Sequence, residues 1–214
     1  QTGAGKTYTM LGYDGPRGGG GAEYGLLPRT TGALFRAIRE RSTGSLRDVV
    51  RASFIEIYNE QAADLIGDGG GELKIQEDKL KNVYVAGARQ EIVCSAEEVS
   101  ALLDLGLRRR QTGFTGSNEN SSRSHAVFIL TVDSTDSERH VTKTSQLYCC
   151  DLAGSEKIDK TITSSMTAAE ARKVMKEGQN INTSLLALGN VIAALAKSGK
   201  KASLTLSLCL SVSL

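Results

Sequence analysis

The first seven residues, Gln1-Thr2-Gly3-Ala4-Gly5-Lys6-Thr7, constrain this chain more than any other stretch. They match G-x-x-x-x-G-K-[ST] with its first glycine missing. Gly3 and Gly5 carry no Cβ, so backbone N–H groups can turn inward against phosphate oxygens. In such a loop Lys6 reaches the β- and γ-phosphates, and the Thr7 hydroxyl ligates Mg²⁺. A helix that begins here aims its positive end at the anion. The alternative is a chance glycine-rich turn. A domain does not begin inside its own nucleotide loop, so the chain is expected to be a fragment.

With 214 residues the chain can form one domain with a sizeable core. Its 40% apolar and 23% charged residues are usual for a globular protein. A net charge of +2 is too small to imply a nucleic-acid partner; an acidic partner would need a local basic patch. Cys94, Cys149, Cys150 and Cys209 show no C-x-x-C spacing, and histidines are not clustered. That argues against zinc and against a disulfide scaffold, and fits a reducing compartment. No apolar run approaches the roughly 18 residues of a membrane span, so membrane insertion is not expected.

Thr7–Leu11 starts the helix after the loop, and glycine-rich Gly12–Gly25 breaks it. Tyr8 either presents its ring to a nucleotide base or packs inside. Pro28 suits a first helical turn, and Leu34, Phe35 and Ile38 carry that helix to about Arg41. Val49–Tyr58 is a strand with apolar residues on both faces, hence central and covered. Leu73–Gln76 and Asn82–Val85 are short strands around a charged turn. Ser95 and Glu98 form a capping box for a helix whose Val99, Leu102, Leu103 and Leu107 face the core. Arg108–Arg110 suit its negative end and are expected to be solvated. Ala126–Asp133 and Val141–Asp151 are strands paired antiparallel about a Ser134–Arg139 turn. An apolar strand ending in Asp151 is what a P-loop NTPase uses to hold Mg²⁺; the alternative is an ordinary strand end, since turns favour Asp. A long amphipathic helix follows through Ile181, Leu185, Leu188, Val191, Ile192 and Leu195, with Gly189 there for close packing.

Four segments, QTGAGKTYTM, NENSSRSH, DLAGSE and NINTSLLALGNVIAAL, occur in this order and together resemble the kinesin motor domain. IEIYNE and GLLPRT are similar to kinesin segments as well. The resemblance covers residues 1–201. It implies an α/β, P-loop NTPase fold with a mixed, mostly parallel central sheet flanked by helices, incomplete at both ends. It implies ATP and Mg²⁺ as ligands and microtubule-stimulated ATP hydrolysis coupled to movement, in the cytoplasm and on the cytoskeleton. Gln1, Thr2, Gly3, Ala4, Gly5, Lys6 and Thr7 would form the phosphate loop, with Tyr8 near adenine. Ser121 would lie near the attacking water, Thr7 and Ser122 would join the Mg²⁺ shell, and Asp151 would hold the metal through water. Gly154 would sense the γ-phosphate, and Arg123 and Glu156 would pair as a latch. Lys157, Lys160, Arg172, Lys173, Lys176, Lys197, Lys200 and Lys201 would face the acidic track. Direction of travel, cargo and oligomeric state are not encoded in these motifs.

After Lys201 the kinesin pattern gives way to 202–214, where leucine or valine stands at every even position from 204 to 214. Period 2 argues for a strand where the family has a helix. An out-of-frame tail is the preferred explanation, a divergent edge strand the other. A second functional reading is therefore a non-enzymatic remnant that binds tubulin or nucleotide without turnover.

Overall fold

The computed structural model of the protein describes residues 5–12, 24–42, 44–68, 73–79, 83–112, 123–155 and 167–198. The elements are α1 (Lys6–Leu11), α2 (Leu26–Arg41), β1 (Leu46–Tyr58), β2 (Gln61–Asp64), β3 (Lys74–Glu77), β4 (Val83–Ala86), β5 (Glu91–Val93), α3 (Ala96–Thr112), β6 (His125–Asp136), β7 (Val141–Asp151) and α4 (Ala168–Ser198). No helix among the described residues is long and apolar enough to cross a membrane.

β1 is the central strand, as its two-sided apolar pattern requires. One edge carries β2 and β5, the other β6, and β7 lies beyond β6. β3 and β4 form a separate two-stranded ribbon. The expectation of a mostly parallel sheet is corrected: every pairing among the described strands is antiparallel. The connections explain it. Asn59 and Glu60 join β1 to β2 with φ of 50° and 65°, a two-residue hairpin loop whose twist matches its strands. The four residues 137–140 join β6 to β7. Parallel neighbours need a crossover of a dozen residues or more. The β6–β7 ladder also runs further than expected, to Asp136↔Val141. Asp136 sets the turn by accepting from the Glu138 and Arg139 N–H groups at 3.0 and 3.1 Å.

Alternation along β1 and β6 places Ala52, Phe54, Phe128 and Leu130 in the core with Leu27 and Phe35 of α2 and Val99 and Leu103 of α3. Phe54 and Phe128 are register partners. Their rings meet edge to face, 5.4 Å between centroids, the arrangement the ring quadrupoles favour. The Ser95 capping box forms, slightly shifted. Ser95 Oγ accepts from Glu98 N–H at 3.3 Å, and Glu98 Oε2 accepts from Cys94 N–H at 2.7 Å.

Two helical glycines have opposite surroundings. A Cβ at Gly106 of α3 would stand 2.2 Å from Phe54 Cδ1, so the glycine lets α3 lie against the sheet. At Gly189 of α4 a Cβ would meet nothing within 4 Å among the described residues, so the expected close packing there is not found. Gly106→Ala should therefore lower stability by about 1–3 kcal/mol through overpacking. Gly189→Ala should raise it by up to about 1 kcal/mol through helix propensity. Urea denaturation of both variants checks the opposite signs.

Candidate functional site

One cross-strand row organises the site. Glu56 on β1 faces Ala126 on β6, and Ala126 faces Asp151 on β7. The three side chains share one face of the sheet, and the small Ala126 leaves a gap between two carboxylates. Arg110 of α3 fills it. Val99, Leu103, Gly106 and Arg110 recur at helical spacing, so Arg110 continues the buried stripe of α3. It is 4% exposed. The expectation that this arginine is solvated is thus corrected, because the helix runs on to Thr112 and keeps the residue over the sheet. Its neighbour Arg109 is also engaged, donating through Nη1 to the Leu65 and Gly67 carbonyls.

The Arg110 guanidinium donates from Nη1 to Asp151 Oδ2 at 3.1 Å. It donates from Nη2 to the Ser124 carbonyl at 2.9 Å and from Nε to Ser124 Oγ at 3.2 Å. Nε also lies 3.5 Å from Glu56 Oε1, an ion pair longer than a good hydrogen bond. One cation thus compensates two buried carboxylates and orders the start of β6.

The start of α1 reaches the same carboxylate. Gly5, the residue before α1, has φ of 79° and ψ of 17°, a left-handed conformation that glycine adopts without a Cβ penalty. This turn starts the helix so that Thr7 Oγ1 donates to Asp151 Oδ2 at 3.0 Å, across 144 positions of sequence. Asp151 Oδ1 is buried with no hydrogen-bond partner among the described residues. A hydroxyl beside a carboxylate whose second oxygen is buried and open fits a hard, oxygen-seeking cation such as Mg²⁺. No group of three or more His, Cys, Asp or Glu residues suited to a metal occurs among the described residues, so phosphate oxygens or water would have to complete the shell.

Other expected residues fall as follows. Tyr8 is 55% exposed, so its ring is free to meet a ligand and is not a core aromatic. Gly154 is buried directly after the strand. Arg172 and Lys176 are exposed on α4. Lys173 and Lys197 lie on the same helix, which begins at Ala168 inside the stretch read as basic and polar. Gln1, Thr2, Gly3, Ala4, Ser121, Ser122, Glu156, Lys157, Lys160, Lys200 and Lys201, and the tail 202–214, lie outside the described residues, so the Arg123–Glu156 latch does too.

Sequence reasoning missed Glu56, Arg110, Ser124 and His125. The signal for Glu56 was present: a carboxylate inside the covered apolar run Phe54–Tyr58 must have a cationic partner. His125 stands one residue before Ala126 and so faces the opposite side of the sheet. Burial lowers its pKa, and the Arg110 guanidinium lowers it further, against the opposing pull of Glu60 and Asp151. Cys149 is buried and its thiol pKa is raised by that burial, which leaves it unreactive.

The family model described as the kinesin motor domain matches residues 1–205, past Lys201 and into the 202–214 stretch. The kinesin heavy chain of Gibberella moniliformis is 40% identical over 197 residues, 91% of this chain and 20% of that protein. Kinesin-like protein KIN-7L of Oryza sativa subsp. japonica is 41% identical over 94% of this chain and 29% of its own length. The chain thus spans about one-fifth to one-third of the length of these relatives. Among solved structures, a fast kinesin superposes with a TM-score of 0.76 at 37% identity, over 94% of this chain and 54% of that one. The KIF14 dimer with AMP-PNP in complex with a microtubule gives 0.73 at 36% identity, over 94% and 55%.

Two outcomes follow from the buried charges. Arg110→Met leaves Glu56 and Asp151 uncompensated and should cost about 3–5 kcal/mol of folding stability, read from denaturant midpoints. For His125, the lowered folded pKa means the unfolded chain binds the extra proton as pH drops below about 6.5. Its contribution is complete above that pH and is lost as pH falls. His125→Asn should therefore flatten the loss of stability between about pH 7.5 and 5.5 relative to wild type.

Proposed function

From the premise that this chain belongs to the kinesin motor domain family, we propose that it is the nucleotide-hydrolysing body of an ATP-driven microtubule motor. The observation that carries the reading is the 3.0 Å contact of Thr7 Oγ1 with Asp151. It joins the end of a phosphate loop to the end of a core strand and leaves one buried carboxylate oxygen open beside it. This is the pairing a P-loop NTPase fold needs to hold a magnesium–nucleotide complex. Residues 1–201 form the motor body in this reading, supported by the family match through residue 205.

Hydrolysis needs water in line with the γ-phosphorus, breakage of its bond to the ADP oxygen, and stabilisation of charge on the equatorial oxygens. Gln1–Thr7 cradle the phosphates through backbone N–H groups, and Lys6 adds the cation. Bound Mg²⁺ supplies charge neutralisation across the phosphates. Thr7, Ser122 and Asp151 are the residues that would hold it. Ser121 orients the attacking water, and the Gly154 backbone N–H meets the γ-phosphate. Arg123 and Glu156 close over the site as an ion pair, and Tyr8 stacks beside the adenine.

The exposed Arg172 and Lys176 face an acidic microtubule surface. Lys157, Lys160, Lys173, Lys197, Lys200 and Lys201 extend the same basic set. That the KIF14 structure holds AMP-PNP and a microtubule supports both ligands here. Such a protein works on microtubules in the cytoplasm.

In the full-length protein, Thr7→Ala and Asp151→Asn should each lower ATP turnover by about 100-fold or more, the effect of losing one fixed electrostatic contact in a phosphate site. A steady-state phosphate-release assay checks this. Turnover within about twofold of wild type in both variants would falsify the assignment.

A further inference from the structure

The ring of His125 joins the backbone after β7 to helix α4. On one side, Nδ1 accepts from the Ala153 N–H at 3.1 Å. Ala153 lies between Asp151 and Gly154, in the segment that faces the phosphates under the reading above. On the other side, Nε2 lies 2.9 Å from Ser184 Oγ on α4. The direction of each bond is fixed by chemistry. A backbone N–H can only donate, so Nδ1 is the unprotonated nitrogen. A neutral ring then carries its proton on Nε2 and donates to Ser184 Oγ. The Ser184 hydroxyl has its own acceptor, the Ile181 carbonyl at 2.8 Å. The chain of donors and acceptors is complete and runs one way. His125 is 9% exposed, so water cannot readily replace either bond. Its lowered pKa, from burial first and Arg110 second, keeps the ring neutral near pH 7.

This stretch of α4 is fixed at a second point. Asn180 Nδ2 donates to Asn59 Oδ1 in the β1–β2 turn at 2.6 Å. Asn180 and Ser184 are one helical turn apart and share a face. One attachment goes to a hairpin of the sheet, the other to the segment beside Gly154. Any shift of that segment would act on α4 at Ser184, one turn from the Asn180 attachment.

We propose that His125 is a positioning residue that passes the displacement of the Asp151–Gly154 segment to helix α4 through Ala153 N–H and Ser184 Oγ. This rests on the motor reading above, because it assigns the coupling to microtubules to that link. His125 touches no reacting atom in this role. It acts through the backbone of Ala153 on one side and the helix on the other.

The test uses the full-length protein with Ser184→Ala, Ser184→Thr and His125→Asn. Asparagine keeps an acceptor near the place of Nδ1 but is too short to reach Ser184. Microtubule stimulation of ATPase, the ratio of the stimulated maximal rate to the basal rate, is the readout. Ser184→Ala should keep the basal rate and lose about three- to tenfold of the stimulation, the scale of one buried hydrogen bond. Ser184→Thr, which keeps the hydroxyl, should restore it. His125→Asn should lose stimulation to the same degree as Ser184→Ala, and the double variant should lose no more than either alone. A merely structural role would move stability but not this ratio. Full stimulation in a folded Ser184→Ala protein overturns the proposal. Amide hydrogen exchange at 181–187 without microtubules gives an independent reading. Exchange about three- to tenfold faster in Ser184→Ala supports the link, and unchanged exchange overturns it. If the wild-type protein shows no stimulation at all, the motor reading fails, and the exchange result alone decides the link.

Discussion

The guanidinium of Arg110 is the constraint on which the site depends. Glu56 and Asp151 lie in one row of the sheet, two strands apart, with only Ala126 between them. Two carboxylates buried at that spacing repel each other and have lost their water. A lysine could offer a point charge to one of them. The planar fork of arginine reaches both, together with the backbone of Ser124. The other features follow from that placement. Gly106 lets α3 lie close enough to the sheet to deliver the side chain. Ala126 makes room for it, and Ser124 is fully buried beneath it.

The same residue links structure to function. Arg110 and Thr7 both use Oδ2 of Asp151, and Oδ1 is buried without a hydrogen-bond partner among the described residues. The core thus holds this carboxylate against the first turn of α1 through its other oxygen. Asp151 is also the last residue of β7, so whatever moves the following residues starts from a fixed point. Ala153 is two residues on and already tied to His125. The backbone that follows Asp151 is thus tied to α4 by a short hydrogen-bonded link through His125 and Ser184.

Much of this was legible in the residues. The covered β1, the β6–β7 pairing, the Ser95 cap and the long last helix follow from period-2 and period-3.6 patterns and from cap chemistry. Thr7 and Asp151, 144 positions apart in motifs of different type, lie within hydrogen-bond distance of each other. What failed has physical causes. Sheet direction is set by connection geometry, and the Asn59–Glu60 hairpin is not a typical turn sequence for its positive φ values. Arg110 was mistaken for a solvated helix end because Arg108, Arg109 and Arg110 form one run in sequence. Only the 99–103–106–110 spacing separates the third from the other two. Gly189 looked like a packing glycine, but no described residue approaches it. His125 ended a motif whose other residues drew the chemical reading, and nothing in sequence showed that Ser184 would come within reach.

In the proposed motor, nucleotide and microtubule sites share one coupled body. Linkage makes this testable without turnover. If nucleotide changes microtubule affinity by some factor, microtubules must change nucleotide affinity by the same factor. The most direct measurement is the dissociation constant of Mg·ADP for the full-length protein, with and without saturating microtubules. The two values should differ by about fivefold or more. Equal values, with both ligands bound, would contradict this coupling.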